Sequence, residues 1–88
     1  MNTFPLKIST PQGDVFNGEA FMLTVRGTEG ELAIMAGHTP FVTTIKPCDC
    51  KLELPDDSTK LGRIGGGMLT VSKDKVILLS GDFVWSEQ

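Results

Sequence analysis

The sequence has one histidine, two cysteines and no surplus of positive charge, and each scarcity removes a class of function. A nucleophilic triad needs an imidazole, an acid and a Ser or Cys. His38 is the only imidazole, and no G-x-S-x-G turn presents a nucleophile. In Gly37-His38-Thr39-Pro40 the ring reads as a turn or interface group that bonds nearby backbone, not as a catalyst or metal ligand. The cysteines form Cys48-Asp49-Cys50. Residues two apart on a strand share a face, and a disulfide between such neighbours would be strained. A zinc site needs four ligands, and two thiols with one distant histidine fall short. Both cysteines are therefore expected to be reduced, structural thiols, with no metal and no cofactor. A net charge of −3 argues against nucleic acid and anionic lipid as partners, since both demand a basic surface.

Long apolar runs are missing as well. Nothing approaches the roughly 20 residues that span a bilayer. Met1-Asn2-Thr3-Phe4-Pro5 lacks the charged and apolar regions of a secretory signal. The expectation is a protein kept in the cytosol or an equivalent compartment, reaching a membrane only through a protein partner.

What the 88 residues do contain is short β-type segments between turns. Phe4-Pro5-Leu6-Lys7-Ile8-Ser9 alternates as a strand, and Pro11-Gln12-Gly13-Asp14 turns it. A second strand starts at Val15-Phe16, with a bulge or bend expected at Gly18. Further strands are predicted over 21–26, 31–34 and 41–45, the last rich in β-branched residues. Cys48 to Leu54 alternates strictly between apolar and charged. Pro55-Asp56-Asp57-Ser58 returns it to a strand over 60–64. Residues 68–72 and 75–79 form a hairpin across Lys73-Asp74, and 83–85 form a last short strand. No window has helical periodicity. The pattern predicts an all-β fold: an antiparallel β-sandwich of two packed sheets, with roughly nine or ten short strands in one domain over residues 1–88.

Two motifs invite a chemical reading and lose it. Gly62-Arg63-Ile64-Gly65-Gly66-Gly67 lacks the Gly-Lys-Ser/Thr ending of a phosphate loop, and no helix follows it. Close backbone approach or a bulge explains it better. Asp56-Asp57 reads as a solvated hairpin tip. The residues point to no enzyme. They point to a scaffold whose distinctive turns, Gly27–Gly30 and Ala36–Pro40, are candidate contact surfaces.

Gly27-Thr28-Glu29-Gly30-Glu31-Leu32-Ala33-Ile34 followed by Gly37-His38-Thr39-Pro40 resembles the signature of a family, the epsilon subunit of the rotary proton-translocating ATP synthase. The opening from Phe4 to Gly13, the stretch Thr43–Pro47 and the segments Ile64–Val71 and Lys75–Leu79 resemble it too. Small departures stand at Ala33, Ala36 and Gly65. The resemblance implies a flattened antiparallel β-sandwich at the foot of the central stalk, a non-catalytic rotor component. It would couple the gamma subunit to the c ring, so that proton flow drives ATP synthesis. It would lie peripherally on the cytoplasmic side of the coupling membrane, or its matrix or stromal equivalent. The same resemblance implies that Glu29, Gly30 and Glu31 face the c ring, while Thr10, His38, Pro40 and Thr43 face gamma. The isolated chain would be a monomer with an apolar patch on one face.

Most family members continue into a helical hairpin that can inhibit ATP hydrolysis. If Gln88 were the natural end, the resemblance implies coupling without that inhibition and without a nucleotide site. Two other readings stay open on the residues alone. One is a stand-alone β-module that binds a peptide or small ligand, for example through an open sheet edge. The other is a small enzyme built on His38, which would need a second catalytic group in a shared pocket.

Overall fold

Alternation decides which side of each strand is buried. In Cys48–Glu53 the residues Cys48, Cys50 and Leu52 are buried, while Asp49 and Lys51 are exposed. The same period of two buries Phe4, Leu6 and Ile8 in Phe4–Thr10. The computed structural model describes residues 2–86; Met1, Glu87 and Gln88 lie outside the described residues. The described residues form ten strands: β1 (Phe4–Thr10), β2 (Gly13–Ala20), β3 (Met22–Gly27), β4 (Gly30–Ile34), β5 (Phe41–Ile45), β6 (Cys48–Glu53), β7 (Thr59–Ile64), β8 (Gly67–Val71), β9 (Val76–Ser80) and β10 (Phe83–Trp85).

The hydrogen-bonded path runs β10-β7-β6-β3-β5-β8-β9-β1-β2, with β4 on the side of β3. It divides naturally where β3 and β5 meet, because they share the single pair Gly27↔Ile45. One layer is β4-β3-β6-β7-β10 and the other is β5-β8-β9-β1-β2. Leu23, Val25, Ile34, Cys50, Leu52 and Ile64 of the first layer join Leu6, Ile8, Ile45, Leu69 and Leu78 of the second in one core. The predicted all-β sandwich is what these residues build. Its outline is mildly flattened, 29 × 29 × 24 Å.

Three details differ from the expectation. The two layers are continuous through Gly27↔Ile45 rather than separate sheets. One pairing, β1 with β9, is parallel. A parallel pair needs a long connection, and the whole chain between these strands supplies it. The bulge sits at Val15, not Gly18: Ile8 pairs Phe16 and Ser9 pairs Asp14, leaving Val15 extra, while Gly18 stays in register opposite Leu6. A Cβ at Gly18 would only touch the Phe16 ring at an ordinary 3.6 Å.

The triple glycine does mark a close approach. A Cβ on Gly67 would lie 1.9 Å from the Leu79 carbonyl oxygen, and one on Gly65 would lie 1.8 Å from Asp82 Oδ1. Here two crossovers between the layers, β7 to β8 and β9 to β10, run against each other. The Ser80 hydroxyl, donating to Gly66 O at 2.8 Å with Asp82 O at 2.5 Å, ties them together.

Candidate functional site

The two layers differ in what they show outward. Cross-strand partners share a face, so the outward side of β5, β8 and β9 can be followed from register. Val42 pairs Thr70 and Thr44 pairs Met68. Thr70 in turn pairs Ile77, and Met68 pairs Leu79. None of these residues is charged. Val42 is 61% exposed, Met68 48% and Leu79 51%. The first charge in this direction is Lys7, beside Ile77 on β1, and it lies 3.8 Å from Asp14.

The outward side of the other layer is charged. Asp49 pairs Arg63, and their side chains meet at 3.1 Å. Lys51 lies beside Leu61, and Arg26 opposite Glu31. Leu61 and Val84 are the large apolar residues exposed there. One face is thus water-adapted and the other is an apolar surface facing solvent.

The residues singled out from sequence fall at the margins of the uncharged face. Thr10 ends β1, and its hydroxyl is engaged in its own turn, donating to Gly13 O and accepting from Gln12 N–H, each at 3.2 Å. It borders a shallow hollow with Pro11, Leu79 and Gly81. His38 and Pro40 lie at the opposite end of the layer. They line a cleft of about 280 Å³ with Pro5, Met35, Lys73 and Asp74. His38 is exposed. Its Nδ1 is 3.1 Å from Thr39 O, and its ring stands 5.1 Å from that of Phe41. A carbonyl only accepts, so Nδ1–H is the donor in this contact. Six residue steps along β1, about 20 Å at 3.3 Å each, separate the two ends.

Thr43 behaves differently from its neighbours. It pairs Leu69, which is buried, so it points to the inner side of β5 while Val42 points out. It opens onto a concavity of about 300 Å³ with Glu29, Gly30, Glu31 and Leu32. The structure therefore brings Thr43 together with the Glu29-Gly30-Glu31 turn, and His38 together with Pro40, and leaves Thr10 at the far end. That turn is a two-residue hairpin, Thr28-Glu29, closed by Gly27 opposite Gly30. Gly30 has φ 122°, a conformation open to glycine.

Sequence reasoning did not name Val42, Met68, Ile77 or Leu79. The signal was present. Val76-Ile77-Leu78-Leu79 is apolar at both parities, the mark of a strand covered on both sides.

The cysteines are free and buried. Cys48 Sγ accepts the Arg26 N–H at 3.4 Å, where β3 and β6 splay apart. Burial, and secondarily the neighbouring Cys48, push the Cys50 thiol up to about 12. A thiol so raised is a poor nucleophile at neutral pH. Asp56 is held below the usual carboxylate range by the Ser58 hydroxyl and backbone N–H. Among the described residues no group of three or more His, Cys, Asp or Glu is placed to hold a metal ion. No helix among them is long and apolar enough to cross a membrane.

The family described as the ATP synthase delta/epsilon chain β-sandwich domain matches residues 3–86. An ATP synthase epsilon chain of Psychrobacter sp. strain PRwf-1 is 34% identical over 80 residues. That of Psychrobacter cryohalolentis is 32% identical over 80 residues. Each match covers 91% of this chain but 58% of the relative, so the chain spans little more than half their length. The fold recurs in a chain of the Euglena gracilis mitochondrial ATP synthase OSCP/F1/c-ring structure, with TM-score 0.90, 21% identity, and coverage of 97% of this chain and 54% of that one. It recurs in the Tetrahymena thermophila mitochondrial ATP synthase central stalk/c-ring structure, with TM-score 0.76, 17% identity, and coverage of 91% and 64%. With ten strands in the order described and a match over nearly its full length, the chain belongs to the family of the β-sandwich domain of the ATP synthase delta/epsilon chain.

Proposed function

We propose that this sandwich is a non-catalytic coupling element of the ATP synthase rotor. The outward face of β5, β8 and β9 docks on the gamma subunit, and the Glu29-Gly30-Glu31 turn faces the c ring. The observation that carries this reading is the contrast between the two outward faces. Val42, Met68 and Leu79 stand exposed among threonines on one. Asp49, Lys51 and Arg63 cover the other. An apolar face of this kind is stabilised by leaving water, at about 25 cal/mol per Å².

Size decides how much of the layer takes part. Three strands about 4.8 Å apart and about 16 Å long present only roughly 230 Å² in projection. A stable interface buries roughly 800 Å² on each partner. The flanking surfaces at Thr10 on one end and His38-Pro40 on the other must therefore contribute, which is where the family resemblance puts gamma-facing residues. Coupling then needs stiffness more than chemistry. Two-residue turns at Pro11-Gln12 and Thr28-Glu29 leave little slack between strands. In this role the chain is peripheral, held at the membrane through its partners.

The test is titration with the gamma subunit, followed by size-exclusion chromatography with light scattering. A one-to-one complex is expected, lost on Leu79→Asp and retained on Val84→Asp, which charges the opposite face. Equal loss from both substitutions, or no complex with a folded gamma subunit, would refute the reading.

A further inference from the structure

The chain carries its sulfur in two unlike settings. Cys48 and Cys50 are free and buried in the core. Burial pushes the Cys50 thiol up to about 12, and it is the thiolate that reacts with oxidants. Cys48 Sγ is engaged by the Arg26 N–H. The thioethers are placed the other way. Met35 and Met68 are exposed, and Met22 is half-buried. A thioether reacts without losing a proton, so exposure sets its susceptibility.

Met68 stands where a change of polarity has most effect. On β8 it lies between Thr44 of β5 and Leu79 of β9 in one cross-strand row. The adjoining row on the same face is Val42, Thr70 and Ile77. Neither row holds a charge, and their only side-chain donors are the hydroxyls of Thr44 and Thr70. Met35 is placed differently. It lines the cleft with His38, Lys73 and Asp74, where polar and charged groups already stand.

We propose that Met68 is an oxidation switch for docking: in the free chain hydrogen peroxide converts its thioether to the sulfoxide, and the sulfoxide weakens seating of the uncharged face on the gamma subunit. A sulfur lone pair bonds one peroxide oxygen, the O–O bond breaks, and the second oxygen leaves as water with both protons. Sulfur gives up two electrons and peroxide takes them. A dithiol-dependent sulfoxide reductase returns them and releases the added oxygen as water. The oxidised side chain replaces an adaptable apolar group with a polar, accepting S=O. Pressed against an apolar partner, that oxygen gives up water without gaining a donor. Once docked, Met68 is covered and its sulfur is out of reach. The switch therefore acts on unassembled chains and spares assembled ones. It rests on the coupling reading, which supplies the docking face.

The experiment titrates the chain with gamma subunit before and after hydrogen peroxide. Mass spectrometry locates the oxidised residues, and far-ultraviolet circular dichroism checks the fold. The untreated chain is expected to form a one-to-one complex, and oxidation to lower affinity by about tenfold or more. Methionine sulfoxide reductases of both stereospecificities, supplied with a dithiol, should restore it. Met35→Leu should keep the peroxide effect. Met68→Leu should bind as the parent does and abolish the effect. Met68→Gln, polar and of similar length, should weaken docking without treatment, and it decides the matter if oxidation unfolds the chain. In the preformed complex Met68 should resist a peroxide dose that converts it in the free chain. Undiminished affinity with Met68 oxidised, a peroxide effect that survives Met68→Leu, parental binding by Met68→Gln, or equal oxidation of Met68 free and bound would each overturn the inference and leave the coupling reading standing. No complex from the untreated, folded chain would refute the coupling reading and the switch with it.

Discussion

The indole N–H of Trp85 donates to the carbonyl of Val15 at 3.3 Å, and so joins the two terminal strands of the hydrogen-bonded path, β10 and β2. The bulge explains why that carbonyl is free, since a bulged residue drops out of the ladder. Phe83 meets the indole edge-on at 4.6 Å, and Lys60 Nζ lies 4.9 Å from the ring centroid. A three-residue strand that pairs only with β7 thus gains a second tie, from one side chain, to the other end of the path.

Trp85→Phe keeps the aromatic packing and removes the hydrogen bond, so it should destabilise the fold by about 1 kcal/mol. Trp85→Ala should cost about 2–3 kcal/mol, below the range for a fully buried tryptophan, because Trp85 is only half-buried. Urea unfolding followed by far-ultraviolet circular dichroism measures both, and equal midpoints would remove the clasp from the account.

The two tight glycines should respond differently to alanine. At Gly67 the added Cβ meets the Leu79 carbonyl at 1.9 Å, which is backbone and cannot step aside without parting β8 from β9. Gly67→Ala should therefore lose roughly 3 kcal/mol or more, an overpacking penalty at the high end. At Gly65 the obstacle is the Asp82 carboxylate, a side chain that can swing out. Gly65→Ala should cost less, and Asp82→Ala should relieve most of what it costs. Thermal unfolding of the three single variants and the Gly65→Ala/Asp82→Ala double variant tests the contrast.

Cys50 predicts weakening in alkali. Its folded value is raised from 9.0 to about 12. The folded state therefore holds the thiol proton where the unfolded state has released it. The contribution is complete below pH 9.0 and is lost as pH rises toward about 12. Cys50→Ala should flatten the decline in stability over that window relative to the parent. Urea midpoints at intervals through it are the measurement, and parallel curves would contradict the prediction.

Docking on the uncharged face should be insensitive to salt. No charged residue lies among Val42, Thr44, Met68, Thr70, Ile77 and Leu79. Screening acts within a Debye length of about 10 Å at 0.1 M salt and about 3 Å at 1 M. Raising salt across that range should change gamma affinity less than threefold, while Met68→Lys should weaken it by about tenfold or more. A steep salt dependence would move the contact to the charged layer.

How much of this was legible beforehand follows from particular residues. Cys48-Asp49-Cys50-Lys51-Leu52-Glu53 could be read as a half-buried strand because its polar residues name the solvent side. The Lys73-Asp74 hairpin could be read from its polar break, and Ser72 N–H donating to Lys75 O at 2.9 Å closes it. The bulge could not be read. Gly18 has the local freedom for one, yet the register that displaces Val15 is set by Ile8 and Phe16 meeting across strands. The inward orientation of Thr43 was equally out of reach. Its neighbours Val42 and Thr44 have similar shapes, and only the pairing with Leu69 turns Thr43 inward.

That this chain is all-β, where its turns fall and which positions are apolar are already written in the order of its amino acids. Alternation and turn chemistry act over a few residues and need no partner. Folding adds that β1 lies parallel to β9, that Val42, Met68, Ile77 and Leu79 gather on one outward face, and that Thr43 shares a concavity with Glu29 and Glu31. Those relationships join residues far apart in the chain. They arise from strand order and register, which the packing of one shared core selects among many locally equivalent pairings.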